Sequence, residues 1–539
     1  MRFSLRTKVI LFTLLIMLGL IFRFPTTPHE IGWDSFAVHL MANSISEFGY
    51  AKWWLHPASI MGSYPYSTSP SAVPFLLSGI SQCAGMDMEK VILLYSMFLG
   101  IFSIFGAYLM AGVIWNNDIF KFLVAFVFSA SQGIITFSTW TAHSRTLFVI
   151  SLPLFIYLLL KTRAFKVRFS ILTFIILMLL LTTHHYIYFT IPIIISYLIL
   201  VTIYTSVKYI KSIRIPENIA NIAMLASFLI IFSIPYFYRD IWLGDPEVIR
   251  TALEGVSSGS IYVWISDVML PSYIRYIGFL IIFVVGGYIS LVFKRNKRFE
   301  EWFFLASLAG LTPFLYIATY TKWFVSPFAS LLIGTALTNI AIAGMRKKPH
   351  VEKRKYAVSF VIILLLFSTI FSGYYQYLHF LNDPDPRTRY MEERTYVGGL
   401  WIKDNINKEK NMMAGGHIGT RIFSISEVPT LTDVGAADLA YGFVDPDKLE
   451  VKQIYSPLSV DFYFKDPYNL VNHTSITLYA RRILGNDINY PPFSWFNLSY
   501  YVENKDIENT LARYIRQTQD NLYDNGKIRI WKLDRGREA

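Results

Sequence analysis

The sequence predicts a polytopic α-helical membrane protein with about eleven transmembrane helices and a C-terminal extracytoplasmic α/β domain. Three observations carry that expectation. Hydrophobic residues make up 54% of the 539 and charged residues only 16%, where an ordinary soluble domain carries about 25% charged. Mean hydropathy is positive, at +0.41. Windows of about 18 or more mostly apolar residues recur as far as position 378, after which the composition turns polar.

The first apolar run follows Arg2, Arg6 and Lys8 as in a signal peptide, but Arg23-Phe24-Pro25 is a poor cleavage site, so the run reads as a retained first helix. Candidate spans then lie at about 9–23, 91–115, 119–139, 144–160, 169–188, 189–206, 219–238, 276–293, 302–319, 323–344 and 356–377. Their basic flanks test the count. Lys161, Arg163, Lys166 and Arg168, then Lys208, Lys211 and Arg214, then Lys294 to Arg298, then Arg346 to Lys355 all fall on the side of the amino terminus. By the positive-inside rule that side is cytoplasmic, so the loops at 24–90 and 239–275 and everything after about 378 face outward. The net charge of +12 belongs to those cytoplasmic loops, not to nucleic-acid binding. The single cysteine, Cys83, excludes an internal disulfide framework.

The turn-rich stretch Asn382-Asp383-Pro384-Asp385-Pro386-Arg387 cannot continue a helix. It marks a linker at 379–395 between a membrane domain, 1–378, and a tail domain, 396–539, long enough for one small fold. Within the tail, 396–406 and 507–522 read as helices and 412–416, 429–432 and 527–533 as strands. Asn472-His473-Thr474 and Asn497-Leu498-Ser499 are glycosylation sequons, usable only outside the cytoplasm. Gly415-Gly416-His417-Ile418-Gly419 departs from the dinucleotide fingerprint and reads as a structural turn, and neither a phosphate-loop lysine nor a zinc signature occurs.

Chemistry is expected in residues 32–74, an aromatic, weakly charged outer loop carrying Asp34 just after the first span. Residues 35–48 fit a short amphipathic helix with Ala37, Leu40, Met41, Ile45 and Phe48 on one face and His39, Asn43, Ser46 and Glu47 on the other, as in a helix lying in the membrane interface. Asp34 precedes it, where a carboxylate can cap free amides, act as a general base toward an acceptor hydroxyl, or hold a metal. Further polar groups stand at outward ends of spans: Arg145 opening the fourth, His184 and His185 closing the fifth, Lys322 opening the tenth. Each could be a snorkelling or capping residue; gathered by a bundle, they would bind a phosphate or pyrophosphate at membrane level. The 239–275 loop adds Arg239, Asp240, Asp245, Glu247 and Arg275, either as a solvated loop or as phosphate and metal ligands. Trp53, Trp54 and Tyr66 could stack on a sugar or simply mark the interface.

These features resemble the GT-C superfamily of integral-membrane glycosyltransferases, which includes protein O-mannosyltransferases, aminoarabinose transferases of lipid A and the catalytic subunit of oligosaccharyltransferase. Gly32-Trp33-Asp34-Ser35 through His39-Leu40-Met41-Ala42-Asn43 to Gly49-Tyr50 looks like the family's first outer loop. Tyr64-Pro65-Tyr66, Pro70 and Pro74-Phe75-Leu76-Leu77 resembles its proline-rich re-entry, Ser144-Arg145-Thr146-Leu147 its arginine at the fourth span, and Lys322 to Pro327-Phe328 a late basic-then-proline pattern. Segments at 401–403 and 526–530 look like the tail domains of prokaryotic members.

The resemblance implies a transferase that moves a sugar from a polyprenyl-phosphate donor to a glycan, lipid or protein acceptor outside the cytoplasm, inverting the anomeric carbon. Asp34 would be the base; Arg145, Lys322, His184, His185, His39 and Arg239 would bind donor phosphate and substrate. No cofactor is implied with certainty. A divalent cation, Mg or Mn, stays open, with Asp34 as its ligand if one binds, although Phe36 stands where a second loop acid would complete a double-acid motif. The oligosaccharyltransferase Trp-Trp-Asp motif is missing from the tail: the one Trp-Trp is Trp53-Trp54, followed by Leu55. An oligosaccharyltransferase-like ligase is the alternative enzyme, and a lipid or sugar transporter the alternative of another class.

Overall fold

A computed structural model describes residues 2–49, 72–164, 166–209, 217–237, 269–316, 318–345, 351–381, 390–414, 416–428, 430–432, 449–456, 459–464, 498–506, 515–516 and 519–533. Trp53, Trp54, Tyr64, Tyr66, Arg239, Asp240, Asp245, Glu247, the proline linker and the sequon asparagines lie outside these residues, as do the side chains of Trp33 and His185.

Helices dominate the order of elements. They are α1 Leu5–Arg23, α2 Trp33–Phe48, α3 Ala72–Ala84, α4 Met88–Ile114, α5 Asp118–Ser129, α6 Gln132–Thr136, α7 Ser144–Thr162, α8 Val167–Thr183, α9 Thr190–Tyr209 and α10 Glu217–Phe237. Further along the chain come α11 Leu270–Ile277, α12 Ile282–Val292, α13 Phe299–Leu311, α14 Ala318–Phe324, α15 Ser326–Met345 and α16 Val351–Leu381, then α17 Glu393–Asn405 and α18 Gly416–Ser426 in the tail. Each expected span falls on a helix or on a broken pair. Among the described residues four helices are individually long and apolar enough to cross a membrane: Leu5–Arg23, Met88–Ile114, Ser144–Thr162 and Tyr186–Ser206. A pair bent by 114° at Gly278, with φ +92, makes a fifth when counted as one span. Others are shorter or interrupted, as where α5 stops at Ala130 and α6 restarts after Ser131.

The described chain divides into two compact units. One comprises residues 1–24, 97–139 and 145–379; the other comprises 25–96, 140–144 and 380–539.

In the first unit the apolar helices pack through small residues, as expected where lipid removes most of the hydrophobic drive for helix association. A Cβ added at Gly287 of α12 would lie 2.0 Å from the Leu332 carbonyl oxygen of α15, and one at Gly334 would lie 2.4 Å from Val124 of α5. Backbone cannot yield as a side-chain tip can. Gly287→Ala is therefore expected to lower stability by about 1–3 kcal/mol, read as a fall in melting temperature of the detergent-solubilised protein. Phe22, Phe126, Ile135, Val325, Ile333 and Leu337 belong to the core behind this contact. At the amino end Asp118, which opens α5 after the Asn117 cap, accepts the Phe3 N–H at 2.7 Å and meets Lys8 at 3.0 Å. Burial would raise the Asp118 carboxyl, but hydrogen bonds from Lys121, the Phe3 amide and Lys8 pull it down to about 2.

The second unit holds the outer loop and the tail. Its five-stranded sheet has the order β2 (Thr430–Thr432), β1 (Asn411–Ala414), β5 (Leu498–Asn504), β7 (Ile528–Lys532), β6 (Asp520–Asp524). β1 runs parallel to β2 and β5, while β7 is antiparallel to both β5 and β6, with Met413 opposite Tyr501 and Val502 opposite Ile530. Strands β3 (Leu449–Ser456) and β4 (Ser459–Phe464) form a separate antiparallel pair. Ile402 of α17 and Ile418 and Ile422 of α18 cover the sheet together with Val502, Ile528 and Ile530. The tail helix and strands expected at 396–406, 412–416, 429–432 and 527–533 coincide with α17, β1, β2 and β7. Two readings are corrected. Leu522, expected in a helix, lies in β6, at the register shift between Asn521 and Tyr523, whose partners in β7 are Trp531 and Ile530. Residues 416–419, expected as a turn, form the first turn of α18.

Candidate active site

Helix α2 opens two residues earlier than its periodicity suggests. Gly32 is its cap, at φ +103, and makes no side-chain cap bond, so Asp34 is the second helical residue and not the capping one. A Cβ at Gly32 would lie 3.1 Å from both Thr141 Oγ1 and His143 Nε2, so glycine is required by space as well as by φ. At the other end Gly49, at φ +77, closes the helix through its N–H to the Ile45 carbonyl.

One residue of the polar face of α2 is corrected, while Glu47 of that face is exposed as expected. Its expected water-facing residue His39 is 3% exposed, and Ser35, Phe36, Leu40, Ala42 and Ile45 are buried as well. The reason is tertiary: α2 is packed between α3 and α18. Asn43 Nδ2 donates to the Ser424 carbonyl at 3.4 Å, and Phe36 packs with Met391 and Ile425.

Asp34 stays half-exposed on this buried frame, its side chain 47% accessible, with Oδ2 3.2 Å from Nδ1 of the buried His143. The His143 segment is held from several sides. Ile31 donates its N–H to the Trp140 carbonyl, Ser35 Oγ accepts the Ala142 N–H at 2.8 Å, and Ser96 Oγ both accepts from the Thr141 N–H and donates to its carbonyl. His39 does not join Asp34; its Nδ1 lies 2.6 Å from Glu30 Oε1. Burial opposes the His39 charge, yet Glu30 outweighs it and raises the imidazole above its ordinary value. Nearby, His29 stands between Glu89 at 3.0 Å and Glu393 at 3.0 Å.

Within the first unit a second constellation forms. Arg145, the second residue of α7, lies 5.6 Å from the Phe137 ring and 5.7 Å from the Trp323 ring. Lys322, in the short helix α14 ahead of α15, lies 4.3 Å from the Tyr276 ring and 5.9 Å from the Trp323 ring. The charges of Arg275 and Arg145 both reach Lys322 and oppose its own. Two cations, Arg145 and Lys322, share one aromatic bed, and the charge of Arg275 adds to the positive potential there, which suits a phosphate. His184 is committed locally: its Nδ1 accepts the Tyr186 N–H at 3.2 Å and caps the 3-10 turn His185–Phe189.

No protein-family model matches the chain, and no curated protein matches it by sequence. Solved structures do. The oligosaccharyltransferase AglB from Archaeoglobus fulgidus, in complex with an inhibitory peptide and a dolichol-phosphate, superposes with a TM-score of 0.58 at 10% identity, over 97% of this chain and 74% of that one. ArnT from Cupriavidus metallidurans bound to undecaprenyl phosphate gives 0.54 at 12% identity, over 98% of both chains. The chain has the GT-C fold. The Archaeoglobus enzyme in complex with Zn and sulfate gives 0.56 at 12% identity, over 92% of this chain and 68% of that one. At such identities the GT-C likeness speaks for architecture, so a metal must be tested on this chain's own donors. Among the described residues no three His, Cys, Asp or Glu side chains converge as metal ligands. Among the described residues Asp34 and His143 are two such donors with no third beside them.

Sequence reasoning singled out Asp34, Arg145 and Lys322, named Arg275 only among the charges of the 239–275 loop, and gave no role to His143 or Glu30. A weak signal existed for the last two: His143 sits two residues before Arg145, and Glu30 two before Gly32.

Proposed function

We propose that the protein is a membrane glycosyltransferase that moves a sugar from a polyprenyl-phosphate donor to an acceptor outside the cytoplasm, with inversion and with Asp34 as general base. The observation that carries this reading is the half-exposed Asp34 carboxylate, fixed against His143 on a buried frame, in a chain whose fold is that of proteins solved with dolichol-phosphate and undecaprenyl phosphate. Asp34 takes the proton of the acceptor hydroxyl as its oxygen attacks the anomeric carbon. The bond from that carbon to the phosphate oxygen breaks, and its electron pair leaves with the polyprenyl phosphate. Arg145 and Lys322, with the charge of Arg275 beside them, are the candidate ligands of the donor phosphate. Arg239, His185 and a divalent cation remain candidates for the donor side, and His184 and His39 act through structure.

Single-sugar transfer is favoured over whole-glycan ligation because the one Trp-Trp pair, Trp53-Trp54, lies in the first loop and is followed by Leu55, not by aspartate. The test is transfer of radiolabelled sugar from polyprenyl-phosphate donors by the purified protein, with and without chelator. Label is expected to reach an acceptor, and the chelator arm decides the metal. A folded protein that moves no label from any lipid donor, yet drives substrate uptake into vesicles, would replace the transferase with a transporter. A whole glycan found on asparagine would replace it with a ligase.

A further inference from the structure

Glu30 is fully buried, yet it takes no direct part in the chemistry described above. Its two oxygens face different partners. Oε1 lies 2.6 Å from His39 Nδ1, and Oε2 accepts the Ser35 hydroxyl at 3.2 Å. Ser35 has one hydroxyl hydrogen; once that is given to Glu30, a lone pair of the same oxygen is left to accept the Ala142 N–H at 2.8 Å. Ala142 directly precedes His143, whose Nδ1 meets Asp34. The Glu30 backbone is tied as well, its N–H to Glu89 Oε1 at 3.1 Å and its carbonyl to the Met391 N–H at 3.3 Å.

A buried ion pair of this kind is costly to desolvate and can commonly be replaced by apolar side chains without loss of stability. What an apolar pair cannot do is orient a hydroxyl. We infer that Glu30 is a positioning residue: through the Ser35 hydroxyl and the Ala142 amide it sets the place of His143 against Asp34, with His39 holding its other oxygen. The inference rests on the reading of Asp34 as the base. A misplacement of about 1 Å in such a site costs up to about a hundredfold in rate.

The experiment compares Glu30→Gln, Ser35→Ala, the double variant and Asp34→Asn in the transfer assay, at matched folded fraction. Glu30→Gln and Ser35→Ala are each expected to lower kcat by about 10- to 100-fold with KM values close to wild type, and the double variant to be no worse than the poorer single, because both act through one relay. The imidazole carbon resonance of His143, assigned with His143→Gln, is expected to move in Glu30→Gln at fixed pH; this readout needs no turnover. Full kcat in Glu30→Gln with Asp34→Asn inactive overturns the inference and spares the base. Additive losses with an unmoved His143 resonance overturn it too, leaving Glu30 a stability residue. Wild-type activity in Asp34→Asn removes the base itself, and the inference falls with it.

Discussion

Turnover is expected to fall about 10²- to 10⁴-fold when Asp34 is replaced by asparagine, with little change in thermal stability. The two halves of that expectation have separate causes. Asparagine keeps the shape and can still accept a hydrogen bond, but it cannot take a proton from an acceptor hydroxyl, so the loss appears in kcat. Folding loses the attraction between a carboxylate and the helix N-terminus, about 0.3–1 kcal/mol for an exposed position, while the contact with His143 can be kept by the asparagine amide. Asp34, with a side chain 47% accessible at the second residue of α2, is such a position. A purely structural role predicts the reverse pattern: a small drop in stability and an unchanged kcat. Steady-state kinetics beside a melting curve separates them, and a kcat within about threefold of wild type would remove Asp34 from the mechanism.

How much of this was legible in the sequence follows the range of the forces involved. Spans are written locally, because a run of apolar residues meets lipid wherever the rest of the chain lies. The windows at 144–160 and 356–377 accordingly fall within α7 and α16. Asp34, Arg145 and Lys322 could be selected because each is a charge at the end of such a run. The burial of α2 could not be read from its pattern, since it is imposed by α18, far along the chain. His39 looked like a water-facing residue for the same reason: the carboxylate that makes its burial tolerable, Glu30, lies outside the helix. His143 carries no local mark as the partner of Asp34, because the pairing of Ile31 with Trp140 that aligns them is long-range. In the tail, the end of the helix expected at 507–522 falls in β6 instead, where Asn521 and Tyr523 on either side of Leu522 pair with β7 and strand pairing overrode propensity.

Raising pH is expected to loosen the hold of the tail on the outer loop, through His29. Its Nδ1 and Nε2 each lie 3.0 Å from a carboxylate oxygen, of Glu89 and Glu393 respectively. A neutral imidazole has one donor and one acceptor, so two carboxylates require both nitrogens protonated. Burial disfavours that charge, but the hydrogen bonds and charges of Glu89 and then Glu393 outweigh it and raise the pKa. The ring also stacks on Tyr396 at 3.8 Å, and the exposed Asp87–Lys90 pair brings one charge of each sign to the neighbourhood. A folded-state pKa above the unfolded value of about 6.5 means the stabilisation is complete below that value and is lost as pH rises through the folded one. The Glu89 bond is worth about 1.5–3 kcal/mol, and the Glu393 bond, on a side chain 67% accessible, at most about 1. His29→Gln should therefore weaken protection of the 390–405 amides from hydrogen exchange by about 2–3 kcal/mol at pH 6. The difference from wild type should narrow between pH 6 and pH 9 as the ring gives up its proton. An equal difference at both pH values would mean that packing against Tyr396, not charge, makes the tie. Transfer measured by wild type and His29→Gln at pH 6 would test whether the tail must grip the loop for turnover.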